Sequence, residues 1–232
     1  MPAPVFDVPE DRAGSAWLAR EGHARQGELL VALLSRYNHD VRTPLNTVMS
    51  WTHLLQQGAV DGSRSSHVAD VLARNAREQA LMLDEFVDDG RAVLGVLKID
   101  PAGLRIEDLV AHAVERTAPL AAPHRVSFRV QSRHDLAGID GDEQRLQRLV
   151  HRLLLAVAHR APEGATIDVS SRLDAGSAAL RIEGPAAAGD WSDAALLDLQ
   201  VSSFVAALHD VELAIDGAPG RAAVELRWRA RP

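Results

Sequence analysis

The segment NHDVRTPLNTV, residues 38–48, places an imidazole, a carboxylate, a guanidinium and a hydroxyl within little more than one helical turn: His39, Asp40, Arg42 and Thr43. A neutral imidazole is the prevailing form near pH 7 and carries one nucleophilic nitrogen. A carboxylate beside it can hold the proton on one ring nitrogen and leave the other free to attack. A guanidinium matches the oxygens of an incoming phosphoryl group, and a nearby hydroxyl can orient a water. The set could carry group transfer through nitrogen, or be no more than a solvated polar face of a helix, as most exposed histidines are. Pro44 follows at once, removing a backbone donor and disturbing the carbonyl of Asp40 four residues back. A kinked or loosened helix is expected there.

The element that must position these groups is a long helix. Leu30, Leu34, Tyr37, Val41, Pro44, Val48, Trp51 and Leu55 follow one another in alternating steps of four and three. That narrow seam belongs to a coiled coil or a four-helix bundle. With Tyr37 at d and Val41 at a, His39 falls at f and points away from the bundle axis. Thr43 lies beside it, four residues on. Residues 56–66, QQGAVDGSRSS, read as a loop. A second helix is expected over roughly Ser66 to Leu94, its apolar side marked less cleanly by Val68, Leu72, Met82, Leu83, Phe86 and Val87. Two such helices make an antiparallel hairpin. One hairpin cannot bury both sides of its seam, so a homodimer with a four-helix bundle is expected.

From Leu97 the pattern mixes short alternating segments with helices. RVSFRVQ, ATIDVSSRL and AALRIEG read as strands, and VELAI with AAVELRWRA as a closing hairpin. DEQRLQRLVHRLLLAVAHRA and DAALLDLQVSSFVAALHD read as helices. The fold class expected is α+β, a helical hairpin followed by an α/β sandwich with one sheet under a few helices. The domains expected are a loose leader over 1–24, the hairpin over 25–96 and the sandwich over 97–232.

Composition bounds the partners. The net charge of −7 argues against a nucleic-acid binder, which needs a basic face. The chain has no cysteine, which excludes disulfides, thiolate catalysis and cysteine zinc sites. The start MPAPVFDVPEDRAGSAW lacks a basic stretch followed by an apolar run, so no signal peptide is expected. No apolar run is long enough for a membrane helix, and a cytoplasmic location is expected. The remaining histidines, His112, His151 and His209 among them, are expected to be solvated, with no metal site.

HDVRTPLNTVMSWTHLL resembles the phosphoacceptor box of bacterial sensor histidine kinases, matching at His39, Asp40, Arg42, Thr43, Pro44, Leu45 and Asn46. NAREQALMLDEFVDDGRAVLG is similar to that family's second dimerisation helix, and residues 141–169 and 208–228 to its ATP-binding domain. The resemblance implies that His39 accepts a phosphoryl group, that Asp40 is its acid-base partner, and that Thr43 helps to position water. It implies response-regulator receiver domains as partners, docking on Arg42, Asn46 and Thr47, with an upstream hybrid histidine kinase as a further partner. The second domain is expected to be a degenerate Bergerat-type sandwich. Arg152 and Ala156 stand where the family has magnesium-binding asparagines, and an alanine offers a hard cation no oxygen. RIEGPAAAGD stands where an adenine-binding aspartate is expected, with Glu183 and Gly184 a distant echo. Leu196 and Asp198 replace glycines of the phosphate loop, which needs small residues and free backbone donors. No cofactor is therefore expected: ATP and magnesium binding are lost, and magnesium belongs to the partner receiver. The function this implies is a phosphorelay, with His39 taking phosphate from one receiver aspartate and passing it to another. The alternatives are a non-catalytic pseudokinase that docks receivers or kinases, and an atypical autophosphorylating kinase.

Overall fold

The structure, a computed structural model, describes residues 26–131, 138–174, 177–187, 191–216 and 220–228. The leader expected over 1–24 lies outside them. The described residues fall into two units, one spanning Arg25–Val96 and one that includes Leu97–Pro232. No helix among the described residues is long and apolar enough to cross a membrane.

The first unit is a helical hairpin of α1 (Gln26–Gln56) and α2 (Ser65–Val93), joined through a short 3-10 turn at Gly62–Arg64. α1 ends where Gly58 takes φ 68°, open to a residue without Cβ. Its N–H donates to the Leu55 carbonyl at 3.1 Å and that of Ala59 to Leu54 at 3.0 Å, which satisfies two end carbonyls. Gly95 ends α2 in the same way, with φ 71°. The helices run antiparallel, and their register is marked along the whole seam. Gln26 Nε2 donates to the Val93 carbonyl at 2.9 Å. The Tyr37 hydroxyl donates to Asp89 Oδ2 at 2.8 Å, and the Tyr37 and Phe86 rings tilt together with centroids 5.0 Å apart. Near the loop, Trp51 meets His67 edge-on at 6.4 Å.

Pro44, where a kinked or loosened helix was expected, lies buried inside a continuous helical span, and one expectation for α1 changes. The covered stripe is rotated from the seam read in the sequence: Leu29 and Leu33 are buried, while Leu34 is 55% and Leu55 41% exposed. An a/d seam counts residues that face several neighbours in a bundle, and within one hairpin α1 has only α2 to cover it.

In the second unit a five-stranded sheet is ordered β2-β4-β5-β7-β6. Its strands are β2 (Ser127–Gln131), β4 (Thr166–Asp174), β5 (Ser177–Pro185), β6 (Val211–Asp216) and β7 (Arg221–Trp228). β2 runs parallel to β4 and every other pairing is antiparallel. A separate two-stranded ladder pairs β1 (Ala102–Leu104) with β3 (Ile139–Gly141), where one sheet was expected. Strands of three residues are too short to register as alternation. Three helices complete the unit: α3 (Ile106–Ala121), α4 (Glu143–Arg160) and α5 (Asp193–Leu208). The core joins Ile167, Val169, Leu180, Ile182, Leu213 and Leu226 of the sheet to Leu146, Leu149, Leu153 and Val157 of α4 and to Leu199 of α5, all buried. Each such side chain contributes roughly 2 kcal/mol of transfer free energy.

The other face of the sheet is charged. Strand register sets Arg181 beside Glu225, Arg129 beside Asp168, and Glu212 beside Arg227. The Glu225 carboxylate accepts from Arg172 at 2.9 Å, from Arg181 at 3.1 Å and from Arg227 at 2.5 Å, and its side chain is 3% exposed. Burial alone would raise its pKa, but these guanidinium groups outweigh burial and hold it below the usual range.

Two histidines expected in solvent are instead packed inside this unit. His209 is buried, with Nδ1 2.7 Å from the Val205 carbonyl. His151 is half-buried between α3 and α4. The Thr117 hydroxyl gives its one hydrogen to the Ala113 carbonyl at 2.6 Å and so accepts from His151 Nδ1 at 2.8 Å. Burial first, then Arg116, Arg152 and His112, push the His151 pKa down to about 4.

Two predictions follow from this packing. Asp142 caps α4, accepting from the backbone N–H groups of Arg145 at 3.2 Å and Asp100 at 3.1 Å. Asp142→Ala is expected to cost about 1–2 kcal/mol in urea unfolding. For His151, the unfolded chain binds a proton that the folded chain refuses. Stability is therefore present above the unfolded pKa and is lost as pH falls from about 6.5 toward about 4. Urea midpoints measured across that window are expected to fall less steeply in His151→Gln than in the unmodified chain.

Candidate functional site

α1 carries every residue of the candidate site. Taking about 100° per residue, the face of α1 turned to α2 centres on Leu29, Leu33, Tyr37 and Pro44. His39 then sits roughly 125° away from that direction. The structure agrees, since the His39 side chain is 86% exposed. Its Nδ1 lies 3.5 Å from Asp40 Oδ1. The other Asp40 oxygen lies 3.5 Å from Arg36 Nε, one turn back. Both contacts are long, so the carboxylate is shared rather than captured. A proton held on Nδ1 toward Asp40 leaves the Nε2 lone pair facing solvent, open to an electrophile arriving from outside.

Arg42, Thr43 and Asn46 are exposed and share the His39 side of the helix. Thr47 does not join them fully. It is half-buried, lies roughly 80° round the helix from His39, and its hydroxyl donates to the Thr43 carbonyl at 3.2 Å. Arg36 was not apparent in the sequence, though an i, i+4 spacing to Asp40 was there to find. The Tyr37–Asp89 bond, which joins α1 to α2 about half a turn before His39, has no spacing signal at all.

The hairpin also has an uncovered apolar side. On α1, Val31, Leu34, Leu45 and Met49 are 67%, 55%, 41% and 60% exposed. On α2, Leu83, Val87 and Leu94 are 59%, 38% and 52% exposed. Each stripe is rotated about 130° in the chain sense from its own helix's covered face. Antiparallel helices reverse that sense, so both stripes fall on one side of the hairpin. His39 projects from the other.

In the second unit, the places that the resemblance assigns to a magnesium nucleotide hold side chains unsuited to one. Ala156 is 3% exposed and has only a methyl. Arg152, one turn before it, brings a cation where a magnesium ligand is needed. Leu196 is buried at 7% exposure. Glu183 lies on the charged face of the sheet, bonded to Arg181 at 2.7 Å and to Arg221. It therefore points away from the helices, and Gly184 beside it packs tightly: a Cβ there would stand 3.2 Å from Ile167 Cγ1. The residues present do not fit the group.

No family model matches the chain. It is similar to the sensor protein DivL of Caulobacter vibrioides, with 27% identity over 146 residues, covering 62% of this chain and 19% of that protein. It is also similar to the cell-division control histidine kinase PdhS of Brucella anthropi, with 24% identity over 168 residues, covering 71% of this chain and 16% of that one. The chain thus spans less than a fifth of the length of these relatives. Its fold is similar to that of the histidine kinase AdeS of Acinetobacter baumannii, with a TM-score of 0.59 at 12% identity, over 84% of this chain and 98% of that one. It is likewise similar to the histidine kinase ThkA in complex with the response regulator protein TrrA, with a TM-score of 0.56 at 10% identity, over 98% of this chain and 69% of that one. At these identities the structures speak for fold, and the two curated relatives carry the sequence link. Together they make the chain similar in sequence to histidine kinases of two-component signalling, with a Bergerat-type α+β unit and a helical hairpin in its fold.

Proposed function

We propose that the chain is a phosphorelay protein whose His39 takes a phosphoryl group from one receiver aspartate and gives it to another. The observation that carries this reading is the outward His39 ring, with Nδ1 turned to Asp40 and Nε2 left to solvent. In the forward step Nε2 attacks the phosphorus of an aspartyl phosphate. The N–P bond forms, the bond from phosphorus to the carboxyl oxygen breaks, and the aspartate leaves as carboxylate. Asp40 holds the Nδ1 proton and balances the positive charge that develops on the ring. The reverse step on a second receiver restores the imidazole. The phosphohistidine adds about −1.5 to −2 charge on a solvated helix face, where it need not be desolvated.

Arg42 and Asn46 are the docking contacts on this face, and Thr47 is a contact at its edge. Thr43 is placed to orient water should the phosphoryl group be hydrolysed instead. The partner class draws support from the ThkA–TrrA complex, whose kinase shares this fold. Magnesium belongs to the receiver in this scheme, and nucleotide takes no part, because Ala156, Arg152 and Leu196 are unsuited to holding it. An upstream hybrid kinase would charge the first receiver. The apolar side of the hairpin is the homodimer surface, pairing two copies into a four-helix bundle with both His39 rings outward. A second reading, an autophosphorylating kinase, draws on the description of PdhS as a histidine kinase; the side chains at the nucleotide place count against it.

The test supplies the chain with a receiver phosphorylated by a small acyl phosphate. Acid-labile, base-stable phosphate is expected to move onto the chain and to vanish in His39→Ala. Asp40→Asn is expected to slow uptake by roughly 100-fold, and labelled ATP alone is expected to leave the chain unlabelled. Labelling by ATP alone would favour the second reading. Met49→Glu on the apolar side is expected to shift the chain from dimer toward monomer in size-exclusion chromatography with light scattering.

A further inference from the structure

The described ends of the connection between β5 and α5, residues 186–187 and 191–192, are each held by hydrogen bonds, and they flank segments that the resemblance assigns to nucleotide contacts. The Ala186 N–H donates to the Gly220 carbonyl at 2.9 Å, and the Ala187 N–H donates to the Arg160 carbonyl at the end of α4 at 2.7 Å. Ser192 caps α5, accepting from the Ala195 N–H at 3.3 Å. Between these pins Trp191 turns inward and is 7% exposed, and the Arg160 guanidinium lies 4.9 Å from its ring centroid. A cation over an indole face is attracted by the ring quadrupole. α5, which begins at the next turn, is buried along Ala195–Leu197 and Leu199–Ala206, on every side of the helix.

These observations meet at one place. Trp191 joins the β5 end to α5, and Arg160, which covers it, belongs to α4. We propose that Trp191, clamped under Arg160, is the chain's own planar occupant of the space among α4, the end of β5 and α5, and that this side chain does there what a bound nucleobase would do. The unit is closed by its own sequence. The described ends of the connection are held at Ala186, Ala187 and Ser192, and α5 is buried along Ala195–Leu197 and Leu199–Ala206, where it offers phosphates no open face. Indole removal should leave a flat cavity under the Arg160 guanidinium, shaped to take up a matching aromatic molecule.

The inference rests on the reading that nucleotide takes no part, but its experiment does not depend on His39. Thermal unfolding of the full chain is followed with and without ATP, with magnesium present and absent, and with free indole. In the unmodified chain neither ATP nor indole is expected to move Tm. In Trp191→Gly the transition is expected roughly 10 °C lower and partly restored by indole. Trp191→Phe, which keeps a ring in place, is expected to fold if the glycine variant does not. Its emission difference from the unmodified chain isolates Trp191, which should resist acrylamide quenching. ATP raising Tm of the unmodified chain would overturn the proposal, as would a folded Trp191→Gly indifferent to indole, or a Trp191 signal quenched like free indole. A chain that fails to take phosphate from a receiver yet passes these tests would refute the relay and leave the closed unit standing.

Discussion

Burial of one apolar stripe between α1 and α2 is the constraint on which the rest of the hairpin depends. Leu29 and Leu33 are each 1% exposed, as is Val68 on the facing helix. Once that stripe is fixed, the direction of every other α1 side chain is fixed too, because the helix is rigid over one turn. Register is held by fewer atoms. The Tyr37–Asp89 bond places a carboxylate in a nearly dry setting, where losing a partner costs more than the bond itself is worth. A slip of α1 along α2 would break that bond, which favours one height for the turn bearing His39.

The site was legible in the sequence because its geometry is local. The positions of His39, Asp40, Arg42 and Thr43 around a helix follow from residue number alone, and the outward ring agrees with the f position read from the heptad. The stripe that packs against α2 was less legible, since Leu30 and Leu34 fit the same period as Leu29 and Leu33. Which of two adjacent columns is covered depends on how many neighbours a helix has. Long-range pairs left no trace. Nothing in a linear reading sets Thr117 against His151 or folds His209 under the start of α4, so both histidines read as solvated. Glu183 was read as an echo of a ligand-binding acid. Strand alternation puts it on the charged face, but only once Ile182 is known to point to the core.

Polar groups are managed in opposite ways around His39 and in the sandwich. Around His39 they are left in water, held loosely and shared, as Asp40 is between Arg36 and His39. In the sandwich they are matched at close range, as around Glu225 and Asp142. The first arrangement suits groups that must change partners. The second suits a scaffold whose shape is meant to persist, and burial of α5 on all sides belongs with it.

The charged face of the sheet has a consequence for encounters in solution. Its cations and anions alternate from strand to strand, Arg129 with Asp168, Arg181 with Glu225, Arg227 with Glu212. Fields from alternating charges cancel within a few ångströms, and dissolved salt erases what remains within about 10 Å. A diffusing macromolecule approaching from that side feels neither pull nor push until it touches. The face is wetted but electrically quiet, and it neither gathers counter-charged company nor competes with the helices for it.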